Sequence, residues 1–211
     1  MPSFPLSIGF DVGESFDALD VFLEKLGDAV ERILQDQAQA AEAEQWEEGY
    51  EEQSYLHQLL QETLPRTLRY STVLHAHAAL DALLSRLCDH VQKRLGLRFS
   101  RSDMANAREL PTRITYLRKA LGDVLPTSAF SGGLGAKLRA FSRVRNIIAH
   151  AGGELSDPSP EDLKTLEQLG LGLTGGYIDV PPGAVSNLLG EARNWAEEAC
   201  RSIENALPKV G

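Results

Sequence analysis

Apolar residues recur at three- and four-residue steps along most of the chain, the spacing of amphipathic helices rather than strands. The first run is Phe16, Leu19, Phe22, Leu23, Leu26, Val30 and Leu34. Ser15 stands just before it and Asp17 and Asp20 follow, so a helix is expected to open at Ser15. Residues 1–12 are compatible with a strand or an open segment. The pattern fades over the Ala/Gln/Glu stretch 35–48, a solvated helix end or a connector. A second helix is expected over 51–63, with Pro65 ending it. The longest helix is expected over 66–95. There Val73, Leu80, Leu84, Leu87, Val91 and Leu95 make a continuous stripe, and Gly96 supplies the stop.

After a polar loop at 98–108, Leu110-Pro111 opens a helix with Ile114, Leu117 and Leu121 inward, ended by Gly122 and Pro126. A glycine-rich turn at 131–135 leads into a helix over 134–150. Its apolar stripe is Leu134, Leu138, Phe141, Val144 and Ile148, and Gly152-Gly153 stops it. A short proline-started helix fits 156–169. Residues 171–180 break the period, and Thr174-Gly175-Gly176 between short apolar stretches predicts a two-stranded hairpin. Pro181-Pro182 then introduces a final helix over 184–207. No internal repeat is present. The expected fold is an all-α helical bundle with a small β-hairpin before the last helix. The expected division is an acidic N-terminal helical extension, 1–65, and a helical domain, 66–207.

Composition narrows the functional classes. No apolar run approaches the roughly 18 residues that span a bilayer, and no basic start with an apolar run marks a signal peptide. Cys88 and Cys200 fall in helical segments and suggest no disulfide framework. A cytoplasmic protein without membrane attachment is the expectation. The net charge of −9 argues at first against a polyanionic partner. Its distribution argues the other way. Residues 1–65 hold 15 acidic and 2 basic side chains, a balance of −13, whereas 92–145 hold 3 acidic and 12 basic, a balance of +9. Such asymmetry is a sign of nucleic-acid binding or, alternatively, of solvated helix faces.

The basic block runs into Arg145-Asn146-Ile147-Ile148-Ala149-His150. With the long helix before it, the glycines after it, the hairpin and the closing helix, this stretch resembles the HEPN superfamily, whose signature is Arg, a polar residue, about three residues and His. The resemblance covers roughly residues 66–207. It implies a helical domain acting as a metal-independent endoribonuclease, with no cofactor, as a toxin or anti-phage component restrained by a partner such as an antitoxin. It also implies a homodimer with the site at the two-fold cleft, and an acidic residue near the Arg, a position Asp81 fills. One feature departs from the family. Many of its toxins that are controlled by a nucleotidyltransferase carry Tyr two residues after the His, and here that position is Gly152.

The chemistry agrees with the residue types. RNA is cut without a metal when its 2′-hydroxyl attacks the adjacent phosphate, which requires proton transfer and stabilisation of phosphoryl charge. Histidine suits the first task and the guanidinium fork suits the second. On an ideal helix Arg145 and His150 stand about 140° apart, so two copies across a dimer would close the site more easily than one. Arg139, Arg143 and His150 fall within about 40° of one another. Arg139, Arg143 and Lys137 are candidate RNA-phosphate contacts, and Asn146 is a candidate for orienting a catalytic side chain. His77 and Asp81, one helical turn apart, could be a ligand pair, but a third ligand at metal-site spacing is missing and His75 points elsewhere, so the histidines are read as packed in a helical core. Two other readings stay open: a non-catalytic RNA- or protein-binding module, and a helical antitoxin or adaptor whose acidic arm takes a basic partner.

Overall fold

A computed structural model describes residues 8–43, 58–106, 109–122, 133–181 and 183–206. The fold is all-α with one small antiparallel hairpin. Helix α1 spans Ile8–Ala43 and α2 spans Leu64–Leu95; α3 is Leu110–Ala120, α4 Leu134–Ala151, α5 Pro160–Gln168 and α6 Ala184–Ala206. Strands β1, Gly172–Thr174, and β2, Tyr177–Asp179, lie between α5 and α6. Helix α2 is the spine, packing on α1, α3, α4 and α6.

The stripe expected on α2 is the one that packs: Val73, Leu80, Leu84, Leu87 and Val91 are buried, and Leu95 packs at the edge of the core. Gly96, at φ +61°, ends the helix in the left-handed conformation that glycine adopts without steric cost. On α4, Leu134, Leu138, Phe141, Val144 and Ile148 all enter the same core.

Three expectations are corrected. The first helix starts at Ile8, so Ser15 lies inside it. A cap preference is worth only about 1 kcal/mol and does not by itself fix where a helix begins; Phe16 and Leu19, just beyond Ser15, are buried as the periodicity implies. At 36 residues this helix also exceeds the 32 of α2. Its later stripe members Leu23, Leu26, Val30 and Leu34 lie outside the described side chains, while Phe22 is exposed beside the His75 ring. Pro65 does not end a helix. A π-helical turn, Leu59–Thr63, runs straight into α2, and Pro65 is the second residue of α2, just after that turn. Leu64 instead donates to the Leu59 carbonyl, five residues back. Residues 51–57 of the expected second helix, residues 1–7, residues 44–48 and Pro126 lie outside the described residues.

The acidic N-terminal segment shares the core. Phe16 and Leu19 pack into it, and Asp17 and Asp20 pair with Arg193 of α6 at 2.6 and 3.5 Å. The hairpin holds the end of α4. Gly175 and Gly176 turn it with positive φ. Tyr70 of α2 donates its hydroxyl to the Ile178 carbonyl at 2.8 Å, and Ile178 N–H donates to Gly153 at 2.9 Å. The exit of the Arg145–His150 helix is thereby fixed to the spine.

Candidate functional site

Helix α4 has two faces. The core stripe fills one. The other lines a cleft of about 990 Å³, closed on the far side by α5 and at its base by α2 and the start of α3. Arg139, Arg143, Arg145, Asn146 and His150 all line it, with His77 and Lys164 from the surrounding walls. The cleft therefore takes in both members of the expected pair within one chain. His150 lies near the middle of the open face and Arg145 at its edge. The Arg145 side chain reaches toward that face, donating from Nη1 to Asn146 Oδ1 at 2.9 Å. Asn146 is thus a hydrogen-bond partner of the guanidinium.

The other expected site residues separate. Arg143 lines the cleft, yet its fork is occupied. Nε donates to Asp162 Oδ1 at 3.0 Å and Nη1 to Glu161 Oε1 at 2.7 Å, both on α5. Lys137 lies outside the cleft, its ammonium paired with Glu191 of α6. It stands about 140° from His150 around the helix, which turns it to the opposite flank. Asp81 does not reach Arg145. Its carboxylate meets Arg113 of α3 at 3.0 Å, and Arg113 is 4% exposed. Arg113 also donates to the Glu109 carbonyl and the Ser85 hydroxyl. Asp81 and Ser85 are one turn apart on α2 and together bind one guanidinium, so the carboxylate serves the α2–α3 contact rather than the cleft. Arg139 remains exposed, with no carboxylate partner among the described residues.

Two residues not singled out as site residues from sequence complete the walls. His77 is buried at the base of the cleft. Its Nε2 lies 3.1 Å from Ser142 Oγ on α4, and its ring packs against Phe141. Burial pushes its pKa down to about 4; the Arg145 guanidinium adds to this and Asp81 opposes it. At neutral pH His77 is an uncharged imidazole that places no further positive charge beside Arg145. A polar residue beside the apolar stripe of α2 was the one signal that pointed to it. Lys164 comes from α5, whose approach to α4 no local pattern announces.

Alpha-helix α5 is held in place by a reciprocal cap. Ser159 Oγ accepts from Asp162 N–H at 3.2 Å, while Asp162 Oδ2 accepts from Ser159 N–H at 3.0 Å. The Ser159 and Arg143 hydrogen bonds hold the Asp162 carboxyl below the usual carboxylate range. At the other end of α4, Gly152 caps the helix at φ +59°, a conformation a tyrosine would adopt only with strain.

Among the described residues no cluster of His, Cys, Asp and Glu is arranged to hold a metal, and no helix is long and apolar enough to cross a membrane. Cys88 and Cys200 are buried and form no disulfide. No family model, curated protein or solved structure matches the chain.

Proposed function

We propose that the chain is a metal-independent endoribonuclease of HEPN type, acting at the cleft beside α4. The observation that carries this reading is that Arg145 and His150 line one cleft together with a second arginine, Arg139, that has no carboxylate partner among the described residues. The RNA 2′-oxygen attacks phosphorus and the bond to the 5′-oxygen breaks. The products are a 2′,3′-cyclic phosphate and a 5′-hydroxyl. His150 carries the proton as general base or acid, and Arg145 binds the phosphoryl oxygens as charge gathers on them. His77, uncharged at neutral pH, is not the acid. The homodimer and the toxin or defence role belong to the same proposal, through the family resemblance. Gly152 leaves no tyrosine for a nucleotidyltransferase to modify, so restraint by a partner would take another form.

The test is cleavage of mixed RNA in the presence of a chelator, with end-group analysis of the products. Arg145→Ala and His150→Ala are each expected to slow cleavage by about 10²-fold or more. Cleavage that survives both substitutions, or none by the wild type freed of co-purifying protein, would rule the activity out. Binding without cutting would favour the non-catalytic module.

A further inference from the structure

The cleft has one wall that neither the Arg–His pair nor its neighbours on α4 account for. Four cationic side chains line it, Arg139, Arg143, Arg145 and Lys164, against two carboxylates, Glu109 and Glu161. These cations are not equivalent. Arg143 is neutralised by Glu161 and Asp162, and Arg145 is held by Asn146. Arg139 on α4 and Lys164 on α5 are exposed and have no carboxylate partner among the described residues.

Arg143 explains how Lys164 comes to be there. Its fork binds the first turn of α5, and the Ser159–Asp162 cap uses the second oxygen of the same carboxylate. Asp162 side-chain atoms are only 13% exposed at this junction. The first turn of α5 is thereby locked to α4, and Lys164 follows two residues later. Arg143 is a strut between helices, and the cation it presents to the cleft is a neighbour's.

Resting on the ribonuclease reading of this cleft, we propose that Arg139 and Lys164 form a backbone-phosphate subsite spanning α4 and α5. It takes a phosphodiester of the same nucleic-acid strand next to the one at Arg145. The ligand class is a polynucleotide backbone rather than a lone phosphate, because the two cations belong to different helices of a cleft far larger than one phosphate. Histidine is the sole aromatic side-chain type lining the cleft among the described residues, which offer no large aromatic surface on which bases stack. Contacts of this kind position a strand without reading its sequence.

The probe is a labelled ten-nucleotide single strand, fully 2′-O-methylated so that it cannot be cut by its own 2′-oxygen. Its affinity is followed by anisotropy across a salt series. Each single-strand phosphate contact contributes about 0.7 to the slope of log K against log salt. Arg139→Ala and Lys164→Ala are each expected to reduce the slope by about that amount, Lys164→Arg to restore it, and Lys119→Ala, on α3 outside the cleft, to leave it unchanged. Slopes unchanged in both alanine variants, equal loss in Lys119→Ala, or no binding by the wild type would overturn the subsite. The two proposals fail separately. Binding with these slope changes but no cleavage of ordinary RNA keeps the subsite and removes the ribonuclease. Cleavage dependent on Arg145 and His150 with unchanged slopes does the reverse.

Discussion

Arg113 and Arg145 come from the same basic stretch, and the fold gives them opposite tasks. Arg113 is 4% exposed, with Asp81, Ser85 and the Glu109 carbonyl around its guanidinium. Arg145 opens on a cleft, and its guanidinium donates to one neutral amide oxygen, Asn146 Oδ1, at 2.9 Å. A buried arginine without acceptors would be very costly, so the α2–α3 contact surrounds it with them. The proposed phosphate contact requires an arginine with donors to spare, and the one described hydrogen bond of Arg145 leaves it such donors. His77 stands between the two regions, on the helix that carries Asp81 and against the helix that carries Arg145.

The contrast is broken most forcefully at Arg113. Arg113→Ala removes a buried side chain from the α2–α3 contact and leaves Asp81, 32% exposed, without that partner; it is expected to cost about 2 kcal/mol or more in urea unfolding. Arg145→Ala, at an open cleft, is expected to stay within about 0.5 kcal/mol. Similar losses from the two substitutions would erase the distinction.

His77 tests it by pH. The folded protein holds this imidazole at about 4, whereas the unfolded chain titrates it near the ordinary 6.5. Between these values the unfolded state takes up a proton that the folded state refuses, so stability falls as pH falls. The full contribution is present above pH 6.5 and amounts to about 3 kcal/mol lost on reaching pH 4. Wild type minus His77→Gln stability should follow that slope. A flat difference from pH 7 to 4 would show that His77 is not held neutral at the base of the cleft.

The smallest effect concerns the strut. Ser159→Ala removes the α5 cap and is expected to cost about 1 kcal/mol. In the single-strand binding assay it should weaken affinity at low salt, because Lys164 is no longer fixed. Unaltered affinity beside the lost stability would mean that α5 does not need its cap to place Lys164.

Much of the fold was legible because it rests on local repetition. The stripes of α2 and α4, the glycine stops at Gly96 and Gly152 and the Gly175-Gly176 turn follow from periodicity and backbone freedom. What misled was reading a weak local preference as a boundary: Ser15 lies inside its helix, and Pro65 follows a π-helical turn within one that continues. The site divides in the same way. Arg139, Asn146 and His150 share the open face of a single helix, so helical angles place them together. Asp81 and Lys137 are long-range partners of Arg113 and Glu191, and no spacing along the chain encodes those pairs.

The sequence by itself determined which face of α4 is buried and which is polar, since apolar burial selects the stripe and leaves its complement to solvent. Only the tertiary structure decided which cations on and around that polar face are occupied. Ion pairing depends on which carboxylates the packing of α3, α5 and α6 brings within 4 Å, and a distance of that kind exists only once the helices have docked.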